Sequence, residues 1–221
     1  MKKTKLEHAL ALFKAGISTV PWIGGAIASL IADYIPSSTQ RSIETAIELL
    51  KHKLEQREDR IDLNDINKDE FAELFKSCYL TIVRTHQRSK LNAATSLISN
   101  ILLKKGDPEK LSYTEIDHFV RCLDSLSIGA IQVLGHAVEI ARQAAGENIE
   151  SQSIRMDFGQ LQSKMPDTEP SLLMGLIREL DSMNLLHFPG PPAIRTRDYS
   201  NYSFELTPIG ARFVLRLLKD R

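Results

Sequence analysis

The chain has 221 residues, enough for one large domain or two small ones, each with its own core. Hydrophobic residues make up 43% and charged residues 25%, ordinary globular usage that argues against wholesale disorder. The 28 Lys+Arg balance 28 Asp+Glu, so the formal net charge is zero. That excludes a polybasic nucleic-acid coat or membrane binder, and leaves only a local patch for any such contact.

Met1-Lys2-Lys3-Thr4-Lys5 resembles the charged start of a signal peptide, but Glu7 and Lys14 interrupt the apolar stretch that should follow. The two cysteines, Cys78 and Cys122, form neither a disulfide framework nor a zinc pattern and suit a reducing cytoplasm. A cytoplasmic location is expected. Ala15 to Ala32 then runs for 18 residues without a charge. As a straight helix it would span roughly 27 Å, just short of a bilayer core. Pro21, Gly24, Gly25 and three hydroxyl residues interrupt it. One reading is two apolar pieces hinged at Pro21 and buried in a bundle, with Trp22 as core. The other is a membrane-active segment centred on Pro21, Trp22, Gly24 and Gly25, whose small residues would let such helices pack together.

Ile43, Ile47, Leu50, Leu54 and Ile61 fall on one helix face, with Arg57 breaking the seam. Asp65 to Lys68 form a break with good capping residues. A second helix follows through Phe71, Leu74, Phe75, Cys78, Ile82 and Thr85. Ser89 is expected to cap a third, carrying Leu91, Ala94, Leu97, Ile98, Ile101 and Leu102 and ending in Lys104-Lys105-Gly106. Ser112 to Glu115 matches the S-x-x-E capping box and opens a fourth, through Ile116, Phe119, Val120 and Leu123.

After Ser127 the pattern changes. Ile128, Ile131, Leu134, Val138 and Ala141 predict a helix ending near Gly146, then a polar stretch and a short helix from Asp157 to Met165. Thr168-Glu169-Pro170 supplies a capping hydroxyl, an early acid and an early proline for a helix carrying Leu172, Leu173, Leu176, Ile177 and Leu180. Leu185 to Phe188 is strand-like, and Pro189-Gly190-Pro191-Pro192 breaks it. Tyr202, Phe204 and Leu206 alternate with polar residues as in a half-buried strand. Thr207-Pro208 opens a last helix, Ile209 to Lys219.

Leu180-Asp181-Ser182-Met183-Asn184-Leu185-Leu186, followed by Phe204-Glu205-Leu206-Thr207-Pro208-Ile209-Gly210, is similar to the helix, strand, wing, strand, Thr-Pro-x-Gly run of bacterial winged-helix regulators. Residues 127–221 therefore resemble the winged-helix superfamily, which serves both DNA readers and protein-docking modules. The helices read above make residues 1–126 a small all-α bundle, and the resemblance implies a winged-helix domain over 127–221 with a small two-stranded β wing, so that the chain is mainly α. The resemblance also implies a recognition helix from Pro170 to Met183 with Glu169, Ser171, Arg178, Glu179, Asp181 and Ser182 on its polar face. Three acids against one Arg argue against base readout by the usual route. Arg195, Arg197, Tyr199 and Tyr202 make the wing the better candidate for phosphates or a minor groove, unless it is a solvated loop. Arg84, His86, Arg88 and Lys90 form a second basic cluster, read either as a weak phosphate contact or as charge complementing helix ends.

Other chemistry is sparse. Asp65-Ile66-Asn67-Lys68-Asp69 imitates a calcium loop, but Glu70 stands where Gly is needed and Lys76 where the final Glu is needed. Glu115 and His118 form only half of a di-iron motif. His136 is expected to be a satisfied core histidine. No nucleophile motif, phosphate loop or zinc motif occurs, so no catalytic residue, metal or cofactor is assigned and no enzyme is expected. The leading expectation is a bacterial regulatory or adaptor protein, possible as a homo-oligomer, that binds DNA or protein through the winged helix, as in transcription regulation. The alternative is a membrane-active effector. The Pro-Trp-Ile-Gly-Gly stretch that motivates it resembles that of helical-bundle proteins from bacterial antiviral defence.

Overall fold

The computed structural model describes residues 40–62, 66–85, 87–146, 148–190 and 199–218. The candidate membrane segment Ala15–Ala32, with Pro21, Trp22, Gly24 and Gly25, lies outside them, as do His86, Arg195 and Arg197. The described residues are mainly helical with one small antiparallel sheet, and they fall into two compact units that divide between Asp124 and Ser125.

In the first unit, α1 (Gln40–Glu55), α2 (Lys68–Arg84) and α3 (Arg88–Ile101) pack together, and α4 (Tyr113–Ser125) follows. Ile43, Ala46, Ile47, Leu50 and Leu54 are the buried face of α1. Ile61 is not on that face. The helix stops at Glu55, and Ile61 instead forms a β-bridge with Leu103. Asn67 caps α2, its side-chain oxygen accepting from the amides of Asp69 and Glu70. Every residue of α3 from Leu91 to Ile101 is buried, including five polar ones. Thr95, Ser96 and Ser99 return their hydroxyls to backbone carbonyls of the preceding turn. Asn100 reaches out of the helix, donating to the Glu109 carbonyl and accepting from the Leu111 amide, each at 2.8 Å. Buried polar groups are affordable only when paired in this way.

Two expectations for α3 are corrected. Ser89 lies inside the helix, and Gln87 holds the cap position without a side-chain bond. The helix ends at Ile101 rather than at Lys104–Gly106, because Leu103 pairs with Ile61 and Asn100 folds back on the next connection. Gly106 serves that connection with φ +86°. The Ser112–Glu115 capping box opens α4 as expected.

Arg60 ties the two connections of this unit together. Its guanidinium grips Asp107 through two bonds of 2.8 and 2.6 Å and reaches Glu109 at 3.1 Å, while Arg57 donates to Ser99 at 2.8 Å. Only 2% of the Asp107 side chain is exposed. The Arg60 fork, helped by the Glu109 amide, outweighs burial and lowers the Asp107 carboxyl from 3.8 to about 2.

In the second unit α5 (Ile128–Ala145) is central, with Ser127 capping it through the Ala130 amide and Gly146, at φ +73°, closing it. Against it pack β1 (Ile154–Asp157), α6 (Phe158–Lys164) and α7 (Pro170–Ser182). β2 (Leu186–His187) and β3 (Ser203–Leu206) complete an antiparallel sheet of order β1-β3-β2. Ile154 and Leu186 both face Leu206, and Met156 faces Phe204. The sheet thus has three strands rather than the two expected. β1 was hidden because it offers only two inward apolar residues, Ile154 and Met156, after the polar run Ser151–Ser153. The carboxylate of Glu169, not the hydroxyl of Thr168, caps α7.

α8 (Pro208–Phe213) continues as a wider π-type turn over Val214–Leu218. Its first turn explains the Thr-Pro-x-Gly run. The Thr207 hydroxyl lies 2.8 Å from the Asn184 carbonyl and 3.0 Å from that of Leu185, and it accepts from the Gly210 amide at 3.0 Å. Pro208 occupies a first-turn position where no N–H is required. A Cβ on Gly210 would stand 2.0 Å from the Leu185 carbonyl oxygen, so only glycine permits this backbone-on-backbone approach.

Two outcomes follow from these contacts. Asp107 contributes about 2 kcal/mol that is present above pH ~4 and lost as the pH falls towards 2, since its folded value is depressed. Asp107→Asn should therefore lower urea stability by about 2 kcal/mol at pH 7 and flatten the acid dependence between pH 4 and 2 by the share that Asp107 supplies. An unchanged acid limb would contradict the pairing. Gly210→Ala should cost at least ~3 kcal/mol, measured by thermal unfolding. A loss under 1 kcal/mol would mean that Leu185 does not stand where described.

Candidate partner-binding surface

Helix α7 buries Leu173, Met174, Ile177 and Leu180. The opposite side exposes Ser171, Gly175, Arg178 and Ser182 at 4-3-4 spacing, one continuous stripe. Leu172 adjoins it and is 56% exposed, the one large apolar side chain so exposed among the described residues. A Cβ on Gly175 would meet nothing within 4 Å, so its backbone is open to close approach.

The three acids expected to make this helix repel DNA are each turned to an amide of their own chain. Glu169 accepts from the amides of Ser171 and Leu172, both at 3.2 Å. The Ser171 hydroxyl, then those amides, holds its carboxyl below the ordinary range. Glu179 accepts from the amide of Ser127 and, at 2.8 Å, from its hydroxyl, so a residue of α7 completes the N-terminus of α5. Asp181 accepts from the Phe188 amide at 2.9 Å, with His187 Nδ1 3.8 Å away. The acids thus hold parts of the unit together.

The two tyrosines expected as contact residues pack within the unit. Tyr202 is buried, and Tyr199 packs at 5.3 Å centroid distance on Phe158 and edge-on at 5.5 Å to Tyr202. Phe188 stacks on Tyr202 and leans on Phe204. The Phe158 amide donates to the Tyr202 carbonyl at 2.9 Å. Both tyrosines therefore belong to one aromatic cluster with Phe158, Phe188 and Phe204. This follows from β3 alternation, which already places Tyr202 on the face of Phe204 and Leu206.

In the first unit, Arg84 faces Asp124 at 3.4 Å at the end of α2, where a cation suits the helix dipole. Arg88 and Lys90 lie in the first turn of α3, the positive end, so dipole complementation does not account for them. Burial pushes the Cys78 thiol up to about 12 and the Cys122 thiol up to about 11. The His118 ring nitrogen lies 3.5 Å from the Cys122 sulfur. Among the described residues no three His, Cys, Asp or Glu side chains are grouped to hold a metal. His136 is not a core residue: it is half-buried at the surface of α5, 3.3 Å from Glu139.

No protein-family profile, curated protein or solved structure matches this chain.

The role given to Glu179 is directly measurable. Glu179→Ala should cost about 1 kcal/mol in urea unfolding, as loss of a helix cap does. Glu179→Gln, which keeps one acceptor, should lose less. No change in either variant would return Glu179 to a solvent-facing acid.

Proposed function

We propose that Ser125–Lys219 is a winged-helix module and that the chain is a non-enzymatic regulator or adaptor docking a protein partner through the outer face of α7. The order of elements and the β1-β3-β2 sheet support the module. The α7 stripe carries the docking reading: an exposed Leu172 beside a bare Gly175 backbone, flanked by Ser171 and Arg178. Interfaces concentrate their energy in a few anchors, Arg among them, ringed by near-neutral contacts that exclude water.

Charge favours protein over nucleic acid. Ser125–Lys219 holds nine Lys+Arg against ten Asp+Glu, and Arg178 is the one cation on the stripe. Duplex binding draws its affinity from neutralising several phosphates at once. The membrane-active alternative rests wholly on Ala15–Ala32, outside the described residues. Among the described residues no helix is long and apolar enough to cross a membrane.

Affinity capture from the source cell with wild type, Leu172→Asp and Gly175→Ala tests the docking face. A specific partner should be held by wild type and lost with Leu172→Asp. Gly175→Ala should weaken capture while raising helix stability by up to ~1 kcal/mol. Capture indifferent to both changes would overturn the reading. Salt-sensitive binding to a DNA duplex that is lost with Arg195→Ala and Arg197→Ala would replace it with a nucleic-acid role.

A further inference from the structure

A groove of about 490 Å³ opens between one face of α5 and the turn joining α6 to α7. It shares no lining residue with the α7 stripe and does not depend on the docking reading. Gln132, Gly135, His136 and Glu139 stand on the α5 side at the spacing of a single helix face. Gly135 lies in mid-helix, where glycine costs up to ~1 kcal/mol relative to alanine. A Cβ there would meet nothing within 4 Å, so no packing contact requires the glycine. Its effect is to leave the groove floor open.

The charged lining of the groove is lopsided. Glu139 is shared by His136 Nδ1 at 3.3 Å and Lys164 Nζ at 3.5 Å, so the lysine of the groove already faces a carboxylate. On the opposite wall, the Met165 amide donates to Gln162 and the Thr168 amide to Met165, while Pro166 has no N–H. Acceptors remain. Among the described residues, the Asp167 carboxylate has no ion-pair or hydrogen-bond partner, and it lines the groove with the Gln132 amide and the Thr168 hydroxyl. Lys164 is the one lysine or arginine of the lining, against the two carboxylates of Glu139 and Asp167. An anion would meet the Asp167 carboxylate directly. A cation finds a free carboxylate and acceptors, with Met165 and Pro166 as an apolar wall.

We propose that this groove receives an alkyl-guanidinium or alkylammonium group, with Asp167 as counter-charge, Gln132 and Thr168 as acceptors, and Met165 and Pro166 against the alkyl stem. The same chemistry is carried by an arginine or lysine of a bound polypeptide and by a free polyamine-like cation.

The test is a titration of the ¹⁵N-labelled full chain, following the amides of Gly135, Asp167 and Thr168. The probes are agmatine, acetyl-Gly-Arg-Gly-amide and the isosteric, uncharged acetyl-Gly-citrulline-Gly-amide. The arginine peptide and agmatine should give saturable shifts at roughly millimolar probe, and the citrulline peptide should not. Tighter binding of the arginine peptide than of agmatine assigns the groove to a polypeptide. Equal or tighter binding of agmatine assigns it to a free cation. Asp167→Asn, an exposed change, should weaken binding at least about fivefold. Gly135→Leu should abolish binding while leaving the fold intact by thermal unfolding, and Leu172→Asp should leave binding unchanged. Equal shifts with the citrulline peptide, no saturable shift, or unaltered binding by Asp167→Asn would overturn the proposal.

Discussion

The second unit depends on one close approach of backbone to backbone, where the first turn of α8 presses against Leu185. Gly210 makes it sterically possible, and the Thr207 hydroxyl fixes it by facing the carbonyls of Asn184 and Leu185. Several elements meet there. The Leu185 amide returns to the Leu180 carbonyl, and Asn184, at φ +55°, turns the chain out of α7. Leu186 then begins β2, and Leu206, adjoining Thr207, pairs with both Leu186 and Ile154. A single contact thereby sets where α7 ends, where β2 begins and how the sheet is registered. The aromatic group of Phe158, Phe188, Tyr199, Tyr202 and Phe204 packs together once those ends are placed.

Four carboxylates across the two units are held by donors of their own chain. Asp107 is held by Arg60 and the Glu109 amide, and Glu169, Glu179 and Asp181 are each held by backbone amides. Charge alone does not describe the outer face of α7, because Glu169, Glu179 and Asp181 each also hold a backbone amide. The stripe of Ser171, Gly175, Arg178 and Ser182 beside Leu172 is small and partly apolar, with one cation. The Asp167 carboxylate is not held in this way and lines the groove instead.

Much of the fold was legible in local chemistry. The capping box at Ser112–Glu115, the Gly146 stop, the Thr207-Pro208 start and the alternation through Tyr202, Phe204 and Leu206 each settle within a few residues, and the structure contains them all. What the sequence hid depends on distant partners. β1 becomes a strand because β3 supplies its ladder, and α3 stops early because Ile61 and Glu109 claim the residues beyond it. The same applies to the surface. Tyr199 and Tyr202 look like contact residues beside Arg195 and Arg197 until the ring of Phe158 is seen against them. The acids of α7 look repulsive until Ser127 and Phe188 are placed. The groove joins Gly135 to Asp167 across a turn that no periodicity reveals.

Native-state hydrogen exchange at Leu185, Thr207 and Gly210 tests most directly whether the α8 contact underlies the rest of its unit. These amides donate to the Leu180 carbonyl, the Leu185 carbonyl and the Thr207 hydroxyl. If the account is right, they open only with the global unfolding of Ser125–Lys219, at the free energy shown by the most protected amides of α5. Opening at a clearly lower free energy, with α5 and the sheet still protected, would show that the unit holds together without it.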